Sequence, residues 1–274
     1  MPADDHQELG EPVDAPEQES AEFVRALARG LAVIEAFGQQ HSGLTLTEVA
    51  KRTGVSRATA RRLLLTLTAL GYAAQVGRQF TLRPKVLSLG LAYIASFSLP
   101  SLARPFMEEL VEQVHESCSV SVLDGIDIVY VARVPSKRIM SIDIGVGTRL
   151  PATITSMGRV LLAALPDDAL QAVLAAARNQ SRPSYLPTNH ALTDPEALAA
   201  AIRQCRQQGF AFVDQELEEG LRSIAVPIRD RNGLVVAAMN LGMHAALVSW
   251  ERVLDEILPA LRTAADGVSR ALRF

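Results

Sequence analysis

Arginine and hydroxyl side chains cluster in the stretch LTEVAKRTGVSRATARRLLL, residues 46–65. Arg57 and Arg61 are four residues apart, so a helix would place both guanidinium groups on one face. A guanidinium group can donate two hydrogen bonds to O6 and N7 of guanine in the major groove of DNA. Hydroxyl groups, lysines and further arginines can bind bases or phosphates. The side chains that we predict to contact DNA are Thr45, Lys51, Arg52, Ser56, Arg57, Thr59, Arg61, Arg62 and Arg78.

Two short helices joined by a turn would position these side chains. Thr45 and Glu48 predict a capping box that opens the first helix, and Gly54 tolerates the positive φ that the turn requires. Ser56 is placed to cap the second helix, and Gly71 is placed to end it. The spacing is typical of a helix-turn-helix, although helix pairs with a glycine turn also serve other purposes. The residues that would pack between the helices are Val49, Ala50, Val55, Ala60 and Leu63.

The segment YAAQVGRQFTL, residues 72–82, follows these helices and predicts a β-hairpin that turns at Gly77-Arg78. A hairpin in this position would form a wing that brings Arg78 to the DNA. Before the helix pair, residues 23–40 predict a further helix with one apolar face. The apolar residues of that face are Leu27, Leu31, Ile34 and Val24.

The charges are distributed unevenly along the chain. Residues 1–22 carry eight acidic and no basic residues, whereas residues 23–85 carry ten basic and two acidic residues. The acidic segment is also rich in proline, so we expect a disordered tail. The basic segment predicts a polyanionic partner, with a solvated charged face as the alternative.

Length and composition exclude several classes of protein. A chain of 274 residues with 49% hydrophobic and 21% charged residues is typical of globular proteins. Two cysteines cannot form a disulfide framework, and the sequence contains neither a secretory signal nor an apolar run of roughly 18 residues. We therefore expect a cytoplasmic protein with no membrane partner.

The remainder of the chain predicts an α+β domain. After Pro100 the spacing of the apolar residues predicts an amphipathic helix. From Cys118 apolar residues alternate as in a β-strand, and two such segments joined at Gly125 predict a hairpin. A third strand is expected at residues 138–144, followed by helices at 156–165, 167–177 and 194–208. Strands near 210–241 and a helix at about 249–272 complete a mainly antiparallel sheet flanked by helices. The expected boundaries are a tail at 1–22, a winged helix-turn-helix domain at 23–83, a helical linker at 84–100 and a second domain at 101–274.

No motif in the sequence indicates catalysis. The five histidines are not paired at a metal-ligand spacing such as HxxxH, and neither a GxSxG motif nor a Walker A loop is present. We therefore predict no metal, no cofactor and no enzymatic activity.

Three segments together resemble the IclR family of bacterial transcriptional regulators. They are the helix-turn-helix through LLLTLTALGYAAQ, the string RLPATITSMGRVLLAALP at 149–166 and the string FAFVDQELEEGLRSIAVPIRD at 210–230. The resemblance runs from about Val24 to about Arg270 and is strongest to the branch that controls aromatic-acid catabolism. It implies a winged-helix DNA-binding domain, a helical linker, a GAF-like effector-binding domain, and a dimer that can pair into a tetramer.

The resemblance also places a ligand pocket in the second domain. It implies contacts from Thr155, Ser156, Met157, Gly158, Asp214, Glu216, Ser223 and Ala225. Ser156 is placed to cap a helix whose free amides would favour a carboxylate, and Arg133 and Arg149 could add a charged pair. Leu150, Ile154, Met157 and Val226 could form apolar walls. The same residues allow purely structural roles: a cap at Ser156, core packing at Met157, solvent exposure at Arg133, and loop anchoring at Asp214 and Glu216.

The combined hypothesis is a transcriptional regulator controlled by a small organic acid. A homodimer or tetramer would present two helices to a double-stranded operator, and the acid would change operator affinity or contact with RNA polymerase. Two alternatives are a small-molecule enzyme on a GAF-like scaffold and an adaptor protein that uses the helix-turn-helix for protein contacts.

Overall fold

The computed structural model describes residues 23–37, 43–90, 98–136, 144–179 and 188–272. The chain divides into two compact units, residues 1–93 and 94–274, here called the N-terminal and C-terminal units. Within the described ranges, none of the helices has both the length and the hydropathy that a membrane crossing requires. The predicted tail at 1–22 and residues 91–97 of the predicted linker lie outside the described residues.

The N-terminal unit combines three helices with a small antiparallel sheet. The bounds are α1 Arg25–Glu35, β1 Leu44–Thr45, α2 Leu46–Thr53, α3 Arg57–Ala69, β2 Ala73–Val76 and β3 Gln79–Leu82. The helix-turn-helix and the hairpin are thus confirmed. The sheet order is β1-β3-β2, so β1 joins the outer side of the wing. Two residues are too few for a periodic signal, and for that reason the sequence did not predict β1.

Helix α1 packs in this unit mainly through the side that carries Val33. Val33 and Phe37 are buried, whereas Leu27 and Val24 are each 62% exposed and Leu31 is 48% exposed. The predicted helix is confirmed. Of its predicted apolar face, Ile34 packs against the core of this unit, whereas Val24, Leu27 and Leu31 are exposed. An isolated amphipathic helix does not reveal which apolar residues meet α2 and α3, and here the contact is made by the Val33 side.

A six-stranded antiparallel sheet forms the centre of the C-terminal unit, in the order β6-β5-β4-β9-β8-β7. The bounds are β4 Ser117–Asp124, β5 Asp127–Val134, β6 Arg149–Pro151, β7 Ala211–Asp214, β8 Leu221–Arg229 and β9 Val235–His244. Most of the strand predicted at 138–144 lies outside the described residues. Strand β6, which pairs with β5, was not predicted because it has only three residues.

Helices cover both faces of this sheet. One apolar core joins a sheet face to α4 Leu99–Val114 and to α8 Leu258–Ala271, which follows a helical turn at Trp250–Arg252 and a π-helical segment at Val253–Ile257. A second core joins the opposite face to α5 Ser156–Ala164, α6 Asp167–Arg178 and α7 Pro195–Gln208. The α+β class with a mainly antiparallel sheet is confirmed.

Helix α5 is enclosed by the rest of the C-terminal unit. Every residue from 156 to 163 is buried. A Cβ atom on Gly158 would lie 2.1 Å from the carbonyl oxygen of Ala152, so only glycine fits this approach. The close contact fixes the beginning of α5 against the 3₁₀ turn Ala152–Ile154 that precedes it.

Candidate functional site

The helix-turn-helix is held by caps at both of its helices. Thr45 accepts a hydrogen bond from the amide of Glu48, and the Glu48 carboxylate accepts from the Thr45 amide, which completes the predicted capping box. Hydrogen bonds from the Thr45 hydroxyl and amide hold the pKa of Glu48 below its ordinary value. Gly54 has a φ of 67° in the turn, and the Ser56 hydroxyl accepts from the amide of Thr59 at 3.2 Å to cap α3.

The caps leave a set of exposed basic side chains around the start of α3. Arg57 and Arg61 are exposed on this helix and form no ion pair with any other described residue. The same holds for Lys51, Arg62 and Arg78. These exposed basic side chains could bind a phosphate backbone and the base edges of a major groove.

Four other predicted DNA contacts already have partners within the unit. Arg52 donates to the carbonyl oxygen of Ala36 at 2.8 Å, and the Thr45 hydroxyl donates to Glu48 Oε2 at 2.6 Å. The hydroxyl oxygens of Ser56 and Thr59 are 2.9 Å apart. These four side chains stabilise the two helices, and their hydroxyl or guanidinium groups are only partly available to DNA.

A lysine that the sequence reasoning missed connects the end of α3 to the segment after the wing. Lys85 Nζ donates to the carbonyl oxygen of Leu70 at 2.8 Å and lies 4.8 Å from the centre of the Tyr72 ring. A cation near the carbonyl end of a helix is stabilising. The basic charge of Lys85 therefore serves the local structure.

The C-terminal unit contains a small cavity, lined by both polar and apolar side chains, between the sheet and the beginning of α5. Its volume is about 30 Å³, room for only a water molecule or two. The described residues that line it are Ser117, Ser119, Tyr130, Arg133, Ile144, Ile154, Thr155, Ser156, Leu217, Leu221, Ser223, Asn240 and Gly242.

The polar atoms around this cavity could bind an anion and a hydroxyl group. Ser156 Oγ and Asn240 Oδ1 are buried without a hydrogen-bond partner, and Arg133 Nη1 has a long contact of 3.4 Å to Ser119 Oγ. A buried polar atom without a partner is costly and is rare in folded proteins. Burial raises the pKa of Tyr130 to about 12, so its phenol is protonated near neutral pH. The cavity therefore holds a cation, a free acceptor and several hydroxyl groups.

The structure places four of the predicted ligand contacts at this cavity, namely Arg133, Thr155, Ser156 and Ser223. The prediction that Ser156 caps α5 is wrong. The cap is Thr155, which precedes the helix and whose hydroxyl accepts a hydrogen bond from the amide of Gly158 at 3.2 Å. Ser156 is the first residue of the helix. Its hydroxyl is thereby left without a partner at the cavity.

Three uncharged residues predicted at the pocket lie in the core beside it. Met157 is 1% exposed and its Sδ accepts from the Ser121 hydroxyl at 3.2 Å, while Ala225 is fully buried in the same core. Gly158 was among the residues expected to contact the ligand. The structure shows instead that the Ala152 backbone approaches it. None of the three is among the residues that line the cavity.

The remaining three predicted contacts are engaged in ion pairs. Arg149 pairs with Asp124 and Asp127. Asp214 accepts two hydrogen bonds from the Arg222 guanidinium, at 3.0 and 2.9 Å. Glu216 Oε2 lies 2.6 Å from Arg159 Nη2, and both side chains are almost completely buried. These groups also do not line the cavity.

The sequence analysis did not predict several residues that line the cavity. For some of them, the alternation of polar and apolar residues along a strand contained a signal. Ser117 and Ser119 alternate with apolar residues in β4, and they pair with Gly242 and Asn240 of β9. Small polar residues that point into an otherwise apolar core are a sign of a binding cavity. Leu217 carries no comparable signal, because the loop between β7 and β8 must fold before this residue reaches the cavity. Leu221, the first residue of β8, carries none either.

Comparison with known proteins identifies both units. Residues 26–77 match the model of the IclR helix-turn-helix domain, and residues 91–270 match that of the bacterial transcriptional regulator IclR C-terminal domain. Within the described residues, no group of three metal-ligating side chains comes together.

Two characterised relatives and one solved structure are similar over most of the chain. The Pca regulon regulatory protein of Pseudomonas putida is 46% identical over 92% of this chain and 85% of its own. The p-hydroxybenzoate hydroxylase transcriptional activator of Acinetobacter baylyi is 35% identical over 95% of this chain and 96% of its own. An IclR homolog from Microbacterium hydrocarbonoxydans, crystallised with 4-hydroxybenzoate, has a TM-score of 0.77 at 25% identity, covering 90% of this chain and 98% of its own. With both domain models matched and relatives this similar, the chain belongs to the IclR family of bacterial transcriptional regulators.

Proposed function

We propose that this protein binds operator DNA through α3 and the wing, and that a hydroxylated aromatic acid of the 4-hydroxybenzoate class controls this binding from the C-terminal cavity. The observation that carries the proposal is the meeting of Arg133 with two unpartnered polar atoms, Ser156 Oγ and Asn240 Oδ1, at one cavity. The names of the two relatives and the ligand of the similar structure support the choice of acid.

The proposed binding mode assigns each end of the ligand to a different group. The carboxylate binds the Arg133 guanidinium, and the Ser156 hydroxyl and the free amides at the start of α5 add hydrogen bonds. The ring hydroxyl donates to Asn240 Oδ1, which needs a donor. The ring lies against Ile154, Leu217 and Leu221, which supply apolar walls.

The small size of the cavity supports a coupling between binding and conformation. A benzene-sized ring occupies a cavity on the order of 150 Å³, whereas this one measures about 30 Å³. An aromatic ligand can bind only a wider state of the C-terminal unit, so the ligand shifts the population toward that state. A regulator requires such a difference in affinity between two states.

On the DNA side, Arg57 and Arg61 read base edges, while Lys51, Arg62 and Arg78 bind phosphates. Smaller contributions come from Thr45, Arg52, Ser56 and Thr59.

The protein acts as a homodimer or tetramer, because the exposed apolar residues Val24, Leu27 and Leu31, at and just before α1, are suited to pairing with a second copy. Contact with RNA polymerase and a cytoplasmic location belong to the same proposal. The proposal also keeps the boundaries expected from the sequence, namely a tail at 1–22, a winged helix-turn-helix domain at 23–83, a linker at 84–100 and an effector-binding domain at 101–274.

The two alternatives have weaker support. Acid–base chemistry would require Asp214 and Glu216 to face the cavity, but each is bound by an arginine. An adaptor protein would not need five exposed basic side chains at one helix-turn-helix and its wing.

Fluorescence polarisation with DNA from upstream of the protein's own gene, against scrambled DNA, tests the proposal. We expect specific binding that 4-hydroxybenzoate alters. Arg133→Gln should abolish the response to the acid and keep DNA binding, whereas the control Arg149→Gln should keep both, because Arg149 lies outside the cavity. Equal binding to both DNAs, or specific binding that neither this acid nor related aromatic acids alter, would contradict the proposal.

A further inference from the structure

One wall of the cavity is a loop held by a buried ion pair. Residues 215–220 join β7 to β8, and Leu217 of this loop lines the cavity together with Leu221. Glu216 is 5% exposed and does not line the cavity. Its Oε2 lies 2.6 Å from Arg159 Nη2 and also accepts from the amide of Leu192 at 3.0 Å.

Arg159 belongs to the opposite wall. It is 3% exposed and lies on α5, three residues after Ser156. Its Nε donates to the carbonyl oxygen of Thr153 at 3.1 Å, directly before Ile154 and Thr155, which line the cavity. One guanidinium group therefore joins the two walls between which the ligand would lie.

The two walls differ in their freedom to move. The α5 wall is fixed, because Gly158 and the Ala152 backbone are in close contact. The loop has no regular secondary structure, and Gln215 adopts a φ of 62°, a strained value for a residue with a side chain. Such strain persists only while surrounding contacts hold it. Those contacts include the ion pair, the hydrogen bonds of Gln215 with Leu221 and Gly220, and a hydrogen bond from the Thr188 hydroxyl to the Gln215 carbonyl. The amides of Thr188 and Ala245 also donate to the carbonyl oxygens of Glu216 and Gly220.

We propose that the Arg159–Glu216 ion pair positions the 215–220 loop against the bound effector and controls how quickly the effector enters and leaves. Both are positioning residues, since they act through Leu217 and Leu221. The inference rests on the proposed effector cavity. It goes beyond that proposal by naming the wall that moves when the cavity widens and the contact that resists the movement.

The first test measures ligand rates in stopped-flow experiments on the full chain with 4-hydroxybenzoate. Glu216→Gln keeps the size of the side chain and an oxygen that accepts from Arg159 and Leu192, but it removes the charge. We expect the dissociation rate constant to rise at least tenfold and the association rate constant to rise at least threefold. Glu219→Gln is the matched control, because it removes an exposed charge from the same loop, and both of its rate constants should stay within twofold of wild type.

A merely stabilising ion pair predicts a different result. It would lower the melting temperature of Glu216→Gln and leave both rate constants unchanged well below that temperature, and this outcome would overturn the inference. If Glu216→Gln does not fold, the double variant Arg159→Met with Glu216→Met removes both charges and leaves no unpaired one. The same rate increases are expected of it.

The second test needs no ligand. Amide hydrogen exchange of Gln215, Gly220 and Leu221 should be at least tenfold faster in Glu216→Gln than in wild type, and unchanged in Glu219→Gln. If wild type fails to bind the acid but exchange accelerates, the proposed effector is wrong, whereas the positioning of the 215–220 loop by the ion pair stands. If wild type binds the acid and neither exchange nor rates change, the role of the ion pair is wrong.

Discussion

At the scale of single residues, the helix-turn-helix separates side chains that hold the backbone from those that are free to bind. Thr45, Ser56 and Arg52 satisfy amides or carbonyls at helix ends. Arg57 and Arg61 have no such partner among the described residues and are exposed. Energetic effects of substitution should follow this division, with loss of stability in the first group and loss of DNA affinity in the second.

Replacing Arg57 by alanine should weaken specific DNA binding and leave the fold intact. Loss of one bidentate contact to guanine costs about 1–3 kcal/mol, equivalent to roughly a 5- to 150-fold loss of affinity. Binding titrations with operator and mismatched DNA measure this effect. Arg104→Ala, which removes an exposed arginine of α4, should change neither affinity. An unchanged operator affinity in Arg57→Ala would show that another residue reads the bases.

Both cysteines should be unreactive in the native protein. Burial raises the pKa of the Cys118 thiol far above its ordinary value and that of Cys205 to about 12, so almost no thiolate exists at pH 8. A chromogenic disulfide reagent at pH 8 should label neither thiol within minutes, and both after addition of denaturant. Cys205→Ser should reduce the denatured count to one. Rapid labelling of the native protein would indicate an accessible thiol and contradict this burial.

At the scale of elements, hydrophobic periodicity and capping residues predicted most helices and strands correctly. They did not predict which elements pack against one another. The capping box at Thr45 and the turn at Gly54 are local and were identified from the sequence. The buried face of α1 depends on α2 and α3, and the position of Leu217 depends on the folded loop. Five residues that the sequence predicted at a pocket line the small cavity, namely Arg133, Ile154, Thr155, Ser156 and Ser223. Arg149, Asp214 and Glu216 are instead engaged in ion pairs.

Gly158→Ala should destabilise the C-terminal unit. The added Cβ would lie 2.1 Å from a backbone oxygen that cannot move without displacing the start of α5, so we expect a cost at or above the upper end of the usual 1–3 kcal/mol for overpacking. Trp250, the single tryptophan of the chain, reports on this unit by fluorescence during urea unfolding.

Gly30→Ala is the control for this experiment. A Cβ atom at Gly30 meets nothing within 4 Å, and the residue lies in α1 of the other unit. The Trp250 transition should stay unchanged in this variant. An equally unchanged transition in Gly158→Ala would mean that the contact with Ala152 can relax.

At the scale of the whole molecule, opposite charges lie close together along the chain. Residues 1–22 carry eight negative charges, and residues 23–85 have a net charge of +8. A polyanionic segment that precedes a basic DNA-binding domain in the chain can compete with phosphate for the same basic side chains.

Deleting residues 1–22 should therefore tighten nonspecific DNA binding at low salt. The gain should shrink as salt rises, because screening shortens the range of the interaction. Fluorescence polarisation with scrambled DNA across a salt series measures it. A variant with the eight acidic residues changed to their amides keeps the length of the segment and should behave like the deletion. If neither variant binds more tightly than wild type at low salt, the competition is absent.

The enclosure of α5 restricts how this regulator can acquire new inducers. Every residue from 156 to 163 is packed against other elements, so a substitution that alters the helix to suit a new ligand also disturbs the core. Ser119, Ser223 and Asn240 differ in this respect, because their side chains face the cavity while ladder hydrogen bonds hold their backbones. Natural divergence within such regulators, and libraries built to obtain biosensors for other acids, should therefore accept changes at these sheet positions far more readily than in α5.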